Sequence, residues 1–134
     1  VMTPRPLARI ASGGETSRLF LAIKNVLNAG NTQKTFVFDE IDTGISGAAI
    51  ELVGLKLKDL AKRAQVFCVT HHPQIASQAD RHFLVEKSQN NKQVITRIRT
   101  LAQTERVDEV ARLLGGLKIT KKNRAYAEEL IKRK

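Results

Sequence analysis

Thr35-Phe36-Val37-Phe38-Asp39-Glu40 is a short apolar run, free of alternation, that gives way to two adjacent carboxylates. Such a run predicts a strand buried on both faces of a parallel sheet, with polar groups beginning at its C-terminal end. Val66-Phe67-Cys68-Val69-Thr70 repeats the pattern and finishes in His71 and His72. Between the two lie a glycine-rich loop, Asp42-Thr43-Gly44-Ile45-Ser46-Gly47, and a helical pattern with Ile50, Val53, Leu57, Leu60 and Ala61 on its apolar face. Strand, helix, strand is a βαβ crossover, and sheets of this kind bind ligands outside the carboxyl ends of their strands. The site is therefore expected near Asp39 and His71.

Upstream, Val1 to Leu7 with Pro4 and Pro6 reads as extended, and its abrupt start hints at a piece of a longer protein. Ser12 and Glu15 have the spacing of a capping box, with Leu19, Ala22, Ile23, Val26 and Leu27 following at helical spacing. A helix is expected from about Gly13 to Asn28, ended by Asn28-Ala29-Gly30-Asn31. Downstream, His82 to Lys87 and Gln93 to Thr100 flank the polar turn Ser88-Gln89-Asn90-Asn91, a β-hairpin. A helix with Val107, Val110, Ala111 and Leu114 on one face should stop at Gly115-Gly116, and Thr120 should cap a final basic helix. The whole is expected to be one α/β lobe, 1–134, with a mostly parallel sheet flanked by helices, a peripheral hairpin, and a basic helical extension over 117–134.

The 134 residues suit one folded unit, and 42% apolar with 27% charged residues is ordinary for a soluble domain. Against 13 acidic residues stand 23 Lys and Arg, a net charge of +10 that favours a polyanionic partner unless acidic sequence elsewhere balances it. Cys68 is the single cysteine, so no internal disulfide can form, and its apolar neighbours predict a buried free thiol in a reducing compartment. No apolar stretch reaches membrane-spanning length and no signal peptide is visible, so a cytoplasmic, nucleoid-associated location without membrane contact is expected.

Ala11-Ser12-Gly13-Gly14-Glu15 puts two glycines and a hydroxyl at a helix N-terminus, where free amides and the helix dipole favour an anion such as phosphate. Taken alone it reads first as a helix cap. Asp39 and Glu40 at the mouth of a parallel sheet form a Walker-B arrangement, in which one carboxylate holds hydrated magnesium and the other orients or deprotonates water. His71 follows the neighbouring strand and can reach a terminal phosphate or the attacking water, whereas His72 reads as structural or exposed.

In this order, the motifs resemble the C-terminal part of ATP-binding-cassette ATPases, a P-loop NTPase head. Ile10-Ala11-Ser12-Gly13-Gly14-Glu15, Phe38 to Gly47, Val69 to Ala76 and Val110 to Gly116 are similar, within that class, to the RecN family. Thr16 and His72 stand where that family more often has an aliphatic residue. The resemblance implies that Ser12, Gly13, Gly14 and Glu15 form the signature that meets the γ-phosphate of ATP on an opposite subunit. It further implies Asp39 as the Mg2+ organiser, through water, Glu40 as the base, Asp42 as the loop residue signalling across the dimer, and His71 as γ-phosphate sensor. Its members are SMC-like ATPases of DNA repair and recombination, homodimeric through ATP-sandwiched heads, with a coiled coil between the halves of each head. No Gly-x-x-x-x-Gly-Lys-Ser/Thr loop is present, so the Walker-A half must come from an N-terminal segment and the isolated chain is expected to be inactive. Lys118, Lys121, Lys122, Arg124, Lys132, Arg133 and Lys134 are candidates for DNA contact. Another SMC-class or transporter-type head, or a non-enzymatic basic DNA-binding module, is the alternative; the upstream heptads and the salt dependence of DNA binding would discriminate.

Overall fold

The computed structural model describes Glu15 and residues 18–23, 34–90, 93–116 and 118–133. Residues 18–23 are helical (α1), followed by β1 (Thr35–Phe38), α2 (Ala48–Ala61), β2 (Gln65–Cys68), the short α3 (Pro73–Ala76), β3 (Phe83–Asn90), β4 (Gln93–Thr100), α4 (Gln103–Gly115) and α5 (Lys121–Lys132). The chain forms two compact units, Val1–Ile75 and Ala76–Lys134.

In the first unit β1 and β2 pair in parallel, Thr35 opposite Gln65 through Phe38 opposite Cys68. The Val69 amide continues the ladder to the Phe38 carbonyl at 2.9 Å, so both chains leave the sheet side by side. Phe36, Phe38 and Ile41 from the strand and its loop, Ile50, Leu57 and Leu60 from α2, Ile75, and Leu21 from α1 make the core. This is the βαβ crossover expected from the two apolar runs.

Two expectations about burial need correction. The strands bury one face only: Phe38 is 2% exposed but Val37 is 68% exposed, and Phe67 and Val69 are exposed with it. An apolar residue on both faces needs a covering layer on each, and the described residues supply one layer. In α1 the core residue is Leu21, while Leu19, Ala22 and Ile23 are exposed. Periodicity identifies apolar stripes but does not say which of two meets the sheet; here Phe20 packs its ring against Phe36 and Phe38, which turns Leu21 inward. The capping box, most of the Gly13–Asn28 helix, its Asn28–Asn31 stop and the opening segment lie outside the described residues.

In the second unit β3 and β4 pair antiparallel from Phe83 opposite Thr100 to Asn90 opposite Gln93. The strand thus runs through Ser88, Gln89 and Asn90, which the sequence reading assigns to the turn; polar residues on a two-stranded ribbon open to solvent lose nothing by pairing. α4 and α5 share a core of Val107, Val110, Ala111, Ala127, Leu130 and Ile131. α5 is thus one side of a helix pair. Gly116, at φ 75°, ends α4 as expected, and the Thr120 hydroxyl caps α5 by accepting from the Asn123 amide at 3.1 Å. Arg106 is 4% exposed and donates to the Ser77 and Ala79 carbonyls, tying α4 to the segment before β3.

Candidate functional site

β1 delivers Asp39 and Glu40 to the carboxyl end of the parallel pair, and both are exposed. Glu40 is the one described non-glycine residue with positive φ, at 56°. A long side chain in that region costs on the order of 1–2 kcal/mol, and such strain persists only where neighbouring structure imposes it. Here a turn closed by the Thr43 amide on the Glu40 carbonyl at 3.1 Å imposes it. Arg18 reinforces the turn from α1, donating to the Ile41 carbonyl at 3.1 Å and the Thr43 carbonyl at 2.8 Å. Ile41 is fully buried, so the residue after Glu40 anchors the loop while the carboxylate faces solvent. Past it, Gly44 and Gly47 take φ 73° and 60°, values that L side chains rarely adopt, which is why the loop needs glycine there.

Asp42 turns inward and is 3% exposed. Thr70 Oγ1 donates to Asp42 Oδ2 and accepts from the His72 amide at 3.0 Å, so one hydroxyl links the loop after β1 to the segment after β2. His71 is 76% exposed, with Nδ1 3.9 Å from Asp42 Oδ2. The structure thus brings Asp42 and His71 together at the carboxyl end of adjacent strands. Cys68 lies half-buried beneath them, and its thiol is pushed up to about 12, by burial first and then by the negative charges of Asp42 and Asp39.

The signature residues Ser12, Gly13 and Gly14 lie outside the described residues; Glu15 is helical and exposed. Of the basic candidates, Arg124 pairs with Asp108 at 3.4 Å and Arg133 with Glu129 at 2.6 Å, so both already serve local charge pairs. Lys118, Lys121, Lys122 and Lys132 are exposed, and Lys134 is outside the described residues. Sequence reasoning missed Thr70 and Arg18. A hydroxyl at the end of the second apolar run was the available signal for Thr70; nothing local marked Arg18, whose partners are backbone carbonyls more than twenty residues away.

No protein-family model matches the chain. Among curated proteins it is similar to the DNA repair protein RecN of Haemophilus influenzae, 46% identical over 128 residues, 96% of this chain and 23% of that protein. The RecN proteins of Streptomyces coelicolor and Bacillus subtilis are 43% and 36% identical over 95% and 96% of the chain, 22% of each relative. The chain therefore spans about a quarter of the length of the relatives it matches. Among solved structures, a chain from work on the structural biochemistry of ATP-driven dimerization and DNA-stimulated activation of SMC ATPases superposes with a TM-score of 0.54. That match covers 82% of this chain and 65% of the other at 19% identity, and it speaks to the fold alone. Sequence and fold agree: nearly the whole chain matches a stretch of the RecN proteins, and its fold is that of part of an SMC-type α/β head.

Proposed function

We propose that this chain supplies the signature, Walker-B and switch elements of a head that hydrolyses ATP in the service of DNA double-strand-break repair. The observation that supports this most directly is the juxtaposition at the carboxyl end of β1 and β2. Asp39 and Glu40 leave one strand exposed, and Thr70 and His71 leave its parallel neighbour.

Asp39, an exposed carboxylate at a strand end, offers the hard oxygen donor that Mg2+ takes alongside water and phosphate oxygens. A Mg2+ ion bound there would supply positive charge beside the β- and γ-phosphates. Glu40, held by its turn with the carboxylate facing solvent, orients a water and accepts its proton as the water oxygen attacks the γ-phosphorus and the bond to the β-phosphate oxygen breaks. His71, free to swing, hydrogen-bonds a γ-phosphate oxygen and senses whether it is present. Ser12, Gly13, Gly14 and Glu15 complete the site of a second subunit, because phosphoryl transfer needs positioning and electrostatics that separate segments can share. Asp42 couples the loop to the His71 segment through Thr70, and from there to the dimer interface. The Walker-A half and coiled coil come from other parts of the protein, and DNA is the polyanion that the basic surface meets.

Replacing Glu40 by Gln in the intact protein tests the reading. Shape is kept and the base is lost, so ATP should bind and hold the heads closed while steady-state hydrolysis falls by about 100-fold or more. Unchanged turnover would assign the water to another group.

A further inference from the structure

One donor set at the end of β2 is larger than the nucleotide chemistry requires. Asp42, His71 and His72 each present one ligand atom, and these atoms lie within 4.8 Å of one another. The two imidazoles stand with ring centroids 4.3 Å apart, and His71 Nδ1 is 3.9 Å from Asp42 Oδ2. His72 has no part in the reaction above.

The three residues differ in a way that suits a cation. Asp42 is buried and held by the Thr70 hydroxyl, which also accepts from the His72 amide. An outer hydroxyl that fixes a ligating carboxylate is a usual feature of metal centres, and a carboxylate has lone pairs to spare for both. His71 is 76% exposed and can move. Metal–ligand bonds of about 2.0–2.1 Å in a tetrahedral site put donors roughly 3.3 Å apart, so a swing of an ångström or two closes the set. Two imidazoles and one carboxylate match Zn2+, which takes N and O donors; Mg2+ asks for oxygen alone. Three protein ligands leave a fourth position for water.

We propose that Asp42, His71 and His72 form a Zn2+ site whose occupation holds the His71 ring on the metal and away from the nucleotide. The site stands on the donor geometry; its inhibitory consequence rests on the γ-phosphate role given to His71 above. Zn2+ would then act as a brake on hydrolysis that does not compete with ATP for the phosphate-binding surface.

The test titrates the intact protein with Zn2+, and separately with Co2+ as a spectroscopic stand-in, beside His72→Leu and His72→Asn. Two variants guard against a folding defect, and His72 is partly exposed, so neither change should disturb the core. The unsubstituted protein is expected to bind one more Zn2+ per chain than either variant and to give visible Co2+ ligand-field bands that both lose. At saturating Mg2+ and ATP, Zn2+ should slow hydrolysis, and both variants should need at least ~10-fold more Zn2+, since even an outer partner of a metal site is worth ~10–100-fold. Hydrolysis without Zn2+ should be the same in all three. Equal stoichiometry and equal Co2+ spectra in the protein and both variants would overturn the site. Loss of binding in the variants with no effect of Zn2+ on turnover would leave the site standing and remove the role assigned to His71, independently of Glu40.

Discussion

Cys68 and Glu40 carry, at the scale of single residues, two different marks of the same carboxylate-rich corner. The thiol is raised to about 12 by burial and by Asp42 and Asp39, so at pH 8 the reactive thiolate is a fraction on the order of 10⁻⁴. Alkylation of Cys68 in the native intact protein, followed by mass spectrometry of its peptide, should be slower than in denatured protein by several hundred-fold or more. Equal rates would mean that Cys68 opens to solvent or that the two aspartates do not face it. Glu40 bears the mark in its backbone: at φ 56° it holds a conformation that costs free energy, stabilised by the Thr43 turn and the Arg18 clamp. Its carboxylate is aimed by the loop and not by packing, and it is exposed, as the proposed work on a water requires. Asp42 shows the opposite solution, a buried carboxylate whose partner is a hydroxyl from the neighbouring strand end.

Elements divide into those that local signals determine and those that need a partner. The cap of α5 is local: Thr120 accepts from the Asn123 amide, and the same asparagine side chain fills the space left by Gly115 at the end of α4. Thr120→Ala should destabilise the first turn by about 1 kcal/mol, which hydrogen exchange would report as roughly fivefold faster exchange of the Asn123 amide with Leu130 unchanged. Uniform loosening of both helices would show instead that the cap sets the docking of the pair. Because caps and apolar runs are written in contiguous residues, α2, α4, α5 and both parallel strands were legible in the sequence, as was the departure of Asp39 and His71 from the carboxyl ends of adjacent strands. Illegible were Leu21 as the buried residue of α1, the exposure of Val37 and Phe67, the continuation of β3 through Ser88–Asn90, and the Arg18 and Thr70 links. Each depends on what lies opposite in space, and no period or motif in one segment records that. Arg99 makes the same point at the mouth of the hairpin, pairing with Glu86 across the ribbon and with Glu105 in the first turn of α4.

For the whole molecule, a chain that spans about a quarter of its relatives and bares Val37, Phe67 and Val69 on one side of its parallel pair has the surface of a part made to be completed. DNA is one expected completion. Neutralising the exposed Lys118, Lys121, Lys122 and Lys132 in the intact protein should weaken DNA binding and flatten its salt dependence, each phosphate contact removing about one from the slope. An unchanged slope would leave these lysines as solvated surface. Another copy of the head is the second completion proposed, and Ser12 is where it should register. In the proposed reading Ser12 meets a neighbour's γ-phosphate, and α1 and β1 separate it in the chain from Glu40, so the two need not serve one site. Ser12→Arg places bulk where the neighbour's phosphate must sit, so each monomer should still bind ATP while the heads fail to close and hydrolysis is lost. Mixing Ser12→Arg protein with protein lacking the phosphate-loop lysine then gives heterodimers in which one composite site carries both lesions and the other neither. Partial recovery of hydrolysis is the expected result if an intact site can fire alone. Because two sites obliged to fire together would show no recovery, ATP-dependent dimerisation of Ser12→Arg alone must be measured as well. Normal dimerisation together with normal hydrolysis would remove Ser12 from the site.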